Sequence, residues 1–360
     1  MEQSFFRELL HYQRPKDNPF RLVFAGLVMF SILFLGYINH QLLISSFGSL
    51  GIFTFLYYQP LPLKQLMTRL SVVGSYLFLG NLLGMLSTHI AWLIPIVVAL
   101  VGFGGRFFFE VYDISKPGAF FGVMVTAMGA STSIPLAKIP FMSGCMLLGI
   151  GFSILFALVL HFTEKEISAP LAKRSLRERI YRHPEAPLDS IYYSFVLFFA
   201  VYISESLHLQ NPYWLVVSCA SILQGDNLRA IKQRNIQRIF GTTIGLVISA
   251  FLLNLALTTF ESIVVITILF VTVEYFIRRN YGLAQFFTTP MALMLSLLVR
   301  QQYVITLIQF RFLGIVLGSL LGLAAAWLFT VVVTFYERKY HLNEWPKNRW
   351  PVIKKRAFGR

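Results

Sequence analysis

Four basic side chains lie close together in the segment 223–245: Arg229, Lys232, Arg234 and Arg238. The chain then enters an apolar run through the sequence GTTIG at 241–245. A guanidinium in such a place can bind a carboxylate or a phosphate through two hydrogen bonds. A basic cluster is equally typical of a nucleic-acid surface or of the cytoplasmic edge of a membrane. The surrounding sequence decides between these interpretations.

Arg238 also begins a stripe of small residues. Gly241 and Gly245 follow it at spacings of three and four, so all three residues lie on one face of a helix. Arg311 heads a second stripe of three glycines: Gly314, Gly318 and Gly322. Small residues four apart let helices approach closely in a membrane. Both arginines are therefore candidate binding residues, and the alternative is that each anchors a helix end.

Carboxylates within apolar runs are the candidates for moving a proton. Glu274 and Arg278 are four residues apart, and so are Arg106 and Glu110, while Glu205 stands alone near the end of another run. A titratable group inside a membrane is a functional candidate. The alternative for the two spaced pairs is an interfacial salt bridge that contributes less than about 1 kcal/mol.

The composition identifies the environment of these residues. The chain of 360 residues is 56% hydrophobic and 13% charged, and it contains 35 phenylalanines. A soluble domain has about twice that share of charged residues. Cys145 and Cys219 both lie in apolar runs without metal-binding spacing, and no catalytic constellation is present. The sequence therefore predicts an all-α integral membrane protein that is not an enzyme and has neither a cofactor nor a metal.

Runs of about 20 apolar residues cross a bilayer as helices. The sequence contains twelve candidate spans, roughly 22–39, 42–59, 70–87, 90–108, 118–134, 141–163, 190–208, 212–224, 239–258, 261–277, 282–299 and 312–336. The fifth and eighth are expected to be short or broken. Gly118, Gly122 and Gly129 interrupt the fifth, and Pro212 interrupts the eighth.

The distribution of positive charge supports this count. With the N-terminus inside, 28 of the 31 Lys and Arg residues fall in segments on the inner side of the membrane. The three on the outer side are Lys138, Arg300 and Arg311. This bias predicts a multi-pass protein of the plasma or inner membrane with both termini in the cytoplasm. The net charge of +15 therefore belongs to the positive-inside bias and not to a nucleic-acid partner.

Two similar halves are predicted. The sequences at 118–128 and 284–294 resemble each other, as do those at 141–151 and 311–322, with shifts of about 166 to 170 residues. Six spans in each half predict parallel repeats related by a pseudo-two-fold axis along the membrane normal. The expected divisions are an amphipathic arm (1–21), a first half (22–163), a cytoplasmic linker (164–189) with an interfacial helix at 171–182, a second half (190–337) and a basic tail (338–360).

The segment NPYWLVVSCASILQGDNLRAIKQRNIQRIFGTTIG at 211–245 resembles the recurrent segment of the fusaric acid resistance (FUSC)/aromatic acid exporter superfamily. The matching residues are Trp214, Gln224, Arg238, Gly241, Thr242 and Gly245. The first half keeps Gln59 and Arg69 but lacks the Gly-Thr pair. Larger members of the superfamily carry a sizeable cytoplasmic domain, whereas this chain has a linker of about 26 residues at that place.

The resemblance implies export of small organic acids, often aromatic, driven by the proton gradient. The residues expected to bind such a substrate are Arg238, Thr242, Thr243, Arg311, Arg69, Phe120, Phe286 and Phe287, with Phe121 beside Phe120 at the equivalent repeat position. The phenylalanines are equally suited to ordinary helix packing or to lipid contact. Glu274, Glu110 and Glu205 are the candidates for proton coupling.

Other functions and partners stay open at this point. The chain could be a passive organic-anion channel, or a membrane scaffold that assists envelope assembly without transporting anything. The expected partners are the lipid bilayer and a small organic anion, and a homo-oligomer or an accessory protein is also compatible with the sequence.

The predicted topology can be tested by labelling. We expect cysteines introduced at Ser175 and Asn343 to resist a membrane-impermeant thiol reagent in intact cells, because both positions lie in basic, inner segments. A cysteine at Gln302 should react, since it lies between two outer ends. Labelling at Ser175 would overturn this topology.

Overall fold

A computed structural model describes residues 12, 18–114, 117–171, 174–299 and 303–339. The predicted amphipathic helix of the N-terminal arm and most of the basic tail lie outside the described residues. Every regular element of the described chain is helical, which confirms an all-α membrane protein.

The first six α-helices are α1 (Phe20–Ile38), α2 (Leu42–Gly51), α3 (Leu63–Ser87), α4 (Leu93–Val111), α5 (Phe120–Ala130) and α6 (Ile139–His161). A 3₁₀ segment, Ile52–Tyr57, continues α2. The remaining helices are α7 (Leu176–Arg182), α8 (Ala186–Ser206), α9 (Tyr213–Ile222), α10 (Leu228–Leu253), α11 (Thr259–Ile277), α12 (Tyr281–Val299) and α13 (Val304–Lys339).

Nine helices of the described chain are long and apolar enough to cross a membrane. Three further apolar segments are shorter: Leu42–Tyr57, Phe120–Ala130 and Tyr213–Ile222. The last two correspond to the fifth and eighth candidate spans, which the sequence predicted to be short. A helix of ten residues is about 15 Å long, half of the hydrocarbon thickness. Twelve complete spans therefore stay a prediction.

Local sequence explains where the short helices begin. Gly118 adopts a positive φ of 54° two residues before α5, a conformation that glycine tolerates without strain. Pro212 precedes α9, in the position where its fixed φ suits a helix start. In the linker, Ser175 caps α7 by accepting a hydrogen bond from the Glu178 backbone N–H at 3.3 Å. This helix lies within the predicted interval 171–182.

The helices form two compact units. Unit 1 contains Met1–Leu82, Ile134–Ala172 and Phe240–Phe312, and unit 2 contains Leu83–Ser133, Lys173–Ile239 and Leu313–Arg360. Each unit thus takes segments from both halves of the sequence, and α3, α10 and α13 each contribute to both.

Close backbone contacts hold unit 1 together. Helix α2 packs against α1 and α6, and α11 packs against α1 and α12. A Cβ atom added to Gly149 on α6 would lie 2.9 Å from the carbonyl carbon of Gly48 on α2. Ser153, one turn further along α6, donates to the Gly51 carbonyl at 3.3 Å. The crossing of α2 and α6 therefore depends on the absence of a side chain at Gly149.

Unit 2 uses the same kind of contact. Helix α4 packs against α5 and α8, and α9 packs against the same two helices. Gly318 on α13 faces α9, where an added Cβ atom would lie 2.8 Å from Cβ of Ser218 and 2.9 Å from the carbonyl carbon of Leu215. Helix α13 can therefore lie directly on the backbone of α9.

The internal packing of the two units is parallel in several places. The contacts of α2 with α6 in unit 1 correspond to those of α9 with α13 in unit 2, and Gly149 and Gly318 are 169 residues apart. The α11–α12 pair likewise corresponds to the α4–α5 pair. The two-fold repeat and its symmetry axis stay predictions.

The close contact at Gly149 generates a test of stability. We expect Gly149→Ala to lower the melting temperature of the detergent-solubilised protein by several degrees, because an overpacked contact typically costs about 1–3 kcal/mol. Gly151→Ala on the same helix is the matched control, since nothing lies within 4 Å of its added Cβ atom. Equal melting temperatures for the two variants would contradict the assigned contact.

Candidate functional site

Arg238 is placed by the start of α10. The Asn227 side chain accepts a hydrogen bond from the Ala230 backbone N–H at 2.9 Å, so it satisfies one of the free donors at the helix N-terminus. Arg238 follows about three turns later and is only 3% exposed. Gly241 and Gly245, further along the same helix, are buried as well.

The Arg238 guanidinium bonds to two hydroxyls of α9. Its Nε donates to Ser218 Oγ at 2.9 Å, and its Nη1 donates to Ser221 Oγ at 3.1 Å. The two serines are three residues apart on a helix, which puts them on one face. A single side chain therefore ties α10 to α9.

Helix α13 completes the polar group. Ser218 Oγ donates to the Ile315 carbonyl at 2.8 Å and lies 2.7 Å from Ser319 Oγ. The Asn235 side chain on α10 donates to the Ser319 carbonyl at 2.7 Å. We name these five residues the Arg238 cluster: Ser218, Ser221, Asn235, Arg238 and Ser319. All five are buried within unit 2.

Ser218 and Ser221, which accept hydrogen bonds from Arg238, are neutral hydroxyls. A carboxylate accepts roughly twice as strongly as a neutral oxygen, and it matches the guanidinium in a two-bond geometry. The cluster therefore offers a buried cation to which an incoming carboxylate would bind more strongly than the serines do.

A cavity of about 70 Å³ opens within unit 2 near the turn between α9 and α10. One water molecule needs about 10–15 Å³ of such space, so the cavity can hold several. Residues that line it include Arg106, Glu185, Asp189, Tyr192, Tyr193, Asp226, Phe329 and Thr330. We call it the unit 2 cavity.

An ion pair and stacked rings form its walls. Arg106 Nε on α4 lies 2.6 Å from Asp189 Oδ2 on α8, and the guanidinium stands 5.3 Å from the ring centre of Tyr193. The rings of Tyr192 and Phe329 stack with centroids 4.3 Å apart. The Arg106 charge is therefore compensated within the wall.

Glu185 is the buried acid of this cavity. It is 7% exposed, and its Oε2 atom has no hydrogen-bond partner in the described part of the chain. Its Oε1 atom lies 3.6 Å from His183 Nδ1, and His183 Nε2 lies 3.0 Å from Asp113 Oδ1. A histidine thus stands between an exposed and a buried carboxylate.

The other predicted substrate residues lie elsewhere. Thr242 is buried one turn after Arg238, and its hydroxyl has no partner among the described residues, whereas Thr243 is exposed. Arg69 and Arg311 are buried in unit 1. The structure therefore brings Arg238 together with serines that the sequence analysis did not identify.

The predicted phenylalanines make ordinary ring contacts. Phe120 meets Phe121 with centroids 5.1 Å apart, in an edge-to-face arrangement. Phe286 lies 6.5 Å from Phe240, and Phe287 stacks at 5.6 Å on Phe276. The aromatic wall of the unit 2 cavity consists instead of two tyrosines and Phe329.

The predicted coupling acids are also dispersed. Glu274 is buried on α11 in unit 1, and Glu205 is exposed at the end of α8. Glu110 lies on α4, one turn after Arg106, whose guanidinium contacts Asp189. Asp189 and Glu185 were not among the predicted site residues, because 164–189 was assigned to a cytoplasmic linker. Their signal is the sequence HPEAPLD at 183–189, where acids and prolines start a helix.

Comparison with known proteins addresses the region that holds the Arg238 cluster. Residues 199–325 match the fusaric acid resistance protein-like family. The match confirms the resemblance seen at 211–245. All five residues of the Arg238 cluster fall within the matched region. No curated protein and no solved structure matches the chain.

The Arg238 cluster generates a second stability test. We expect Ser218→Ala to destabilise the protein by about 1–3 kcal/mol, because it removes an acceptor from a buried guanidinium. Ser190→Ala is the matched control, since this buried serine of unit 2 bonds to the Ala186 carbonyl in its own helix. Thermal unfolding in detergent measures both variants. A Ser218→Ala protein as stable as Ser190→Ala would show that the bond to Arg238 contributes little.

Proposed function

We propose that the protein exports small organic acids from the cytoplasm, with aromatic carboxylic acids as the substrate class and inward proton movement as the energy source. The observation that carries this proposal is the buried Arg238 guanidinium, which donates to two neutral hydroxyls on a neighbouring helix. It lies in the region that matches a family associated with efflux. A buried charge in a membrane-spanning helix is a functional candidate.

The substrate carboxylate is proposed to replace Ser218 and Ser221 on the guanidinium. Charge-assisted hydrogen bonds contribute about 1.5–3 kcal/mol, more than bonds between neutral groups. Gly318 lets α13 lie directly on α9 next to these serines, so movement of α13 would open or close the Arg238 cluster. Such movement is what an alternating-access transporter requires.

Proton coupling separates a transporter from the passive anion channel. In inverted membrane vesicles, we expect uptake of radiolabelled aromatic carboxylates to increase when a pH gradient is imposed at a clamped membrane potential. A channel would respond to voltage alone, because no proton takes part in its cycle. Uptake that follows voltage and ignores the pH gradient would refute coupling. A scaffold would give no uptake under either condition.

A conservative substitution tests Arg238 itself. Arg238→Lys keeps the positive charge, and so the topology, but loses the planar donor fork. We expect substrate affinity to fall roughly 10- to 150-fold, the equivalent of about 1.5–3 kcal/mol, while expression stays normal. Arg229→Lys is the matched control, because this residue of the same basic segment is exposed. Unchanged transport kinetics in Arg238→Lys would mean that the arginine only anchors the helix.

A further inference from the structure

Asp113, His183 and Glu185 form a line from solvent into the unit 2 cavity. The exposed fraction of the side chain falls from 51% in Asp113 to 24% in His183 and 8% in Glu185. We propose that these three residues are a proton relay that releases the coupling proton from the cavity to the cytoplasm. The inference rests on the proposed proton-coupled export, and it names a site that the apolar runs of the sequence did not indicate.

The two ring nitrogens of His183 face two carboxylates. A neutral imidazole carries one proton, so it can donate to only one of them. If Nε2 donates to Asp113, then Nδ1 is an acceptor that faces Glu185 Oε1. A hydrogen bond between Nδ1 and Oε1 then needs one further proton, which either atom can carry.

The proton transfer balances along this line. The Glu185 O–H bond breaks as an N–H bond forms at His183 Nδ1, and the Nε2–H bond breaks as an O–H bond forms on Asp113. Asp113 then gives the proton to water. Exchange with water, which takes the proton from Nδ1 and returns one to Nε2, restores the first tautomer. The Nδ1–Oε1 distance of 3.6 Å must shorten by about half an ångström to reach hydrogen-bond length.

The inner end of the line is the buried Oε2 atom of Glu185. Glu185 lines the unit 2 cavity, and its Oε2 atom has no hydrogen-bond partner among the described residues. A buried carboxylate oxygen that lacks a hydrogen-bond donor is costly. The cavity has room for the water that would deliver the proton of the relay to Glu185.

Neighbouring charges leave Glu185 available for this role. Arg106 is engaged by Asp189, and Arg179 on α7 stands over the ring of Tyr112 at 4.8 Å. The remaining ionisable groups that line the same cavity are Tyr192, Tyr193 and Asp226. His183 is thus the only base among the described residues that the ion-pair distances place beside Glu185.

The backbone at Asp113 allows a clean variant of the outer residue. Asp113 has a positive φ of 54°, a conformation that aspartate and asparagine tolerate better than other non-glycine residues. Asp113→Asn therefore removes the titratable group and keeps the turn. His183→Gln and Glu185→Gln remove the other two groups at similar size.

Two transport modes separate a relay from a structural role. Inverted vesicles are assayed for pH-driven uptake and for substrate exchange without a pH gradient, using the aromatic carboxylate that wild type takes up best. We expect Glu185→Gln and His183→Gln to lose about tenfold or more in pH-driven uptake and to keep exchange within about twofold, since only the driven mode needs net proton transfer. Asp113→Asn should show the same pattern more weakly, because water can replace an exposed group.

Glu178→Gln is the matched control, because this carboxylate on α7 is 55% exposed and lies outside the cavity lining. It should leave both transport modes unchanged. Wild-type pH-driven uptake in His183→Gln and Glu185→Gln would overturn the relay and leave the export proposal standing.

A measurement without substrate separates the two proposals if wild type shows no pH-driven uptake. Infrared spectra of the reconstituted protein follow the carboxyl stretching bands. We expect a band that is absent from Glu185→Gln and whose frequency shifts in His183→Gln, because the imidazole faces this carboxyl group. A band frequency that does not change in His183→Gln would overturn the relay by itself.

Discussion

The hydrogen bonds between the Arg238 guanidinium and the hydroxyls of Ser218 and Ser221 are the interaction on which the candidate site depends. A guanidinium in an apolar interior must have acceptors, because an uncompensated buried charge costs several kcal/mol. α9 supplies those acceptors, and α13 supplies the groups that orient them. The Arg238 side chain therefore fixes how three helices of unit 2 meet. The same side chain is the cation to which a carboxylate would bind.

Small residues make this arrangement sterically feasible. The contact between α13 and α9 has no room for a side chain at position 318, and glycine has none. The contact between α6 and α2 in unit 1 requires glycine at position 149 for the same reason. Without a hydrophobic driving force between helices in lipid, such close packing and interhelical hydrogen bonds supply the association energy. The Arg238 cluster and the helix packing thus rely on the same contact between α9 and α13. A shift of α13 would therefore alter both together.

The sequence predicted those features that depend on local periodicity. The shared face of Arg238, Gly241 and Gly245 follows from helical spacing, and the short fifth and eighth helices follow from their glycines and Pro212. The partners of Arg238 could not be predicted, because α9 meets α10 through tertiary packing and serines are common in apolar helices. Glu185 was not predicted for another reason. It lies in a charged linker, where no local sequence feature distinguishes a buried acid from solvated ones.

Solid-state NMR on the reconstituted protein tests the central claim most directly. The sample carries ¹⁵N-labelled arginine, and the ligand is the best-transported aromatic carboxylate with ¹³C in its carboxyl group. We expect dipolar dephasing that corresponds to a carbon–nitrogen distance of about 4 Å, as in a two-bond guanidinium–carboxylate pair, and its loss in Arg238→Lys. Dephasing that persists in Arg238→Lys, or none in wild type under saturating ligand, would contradict it.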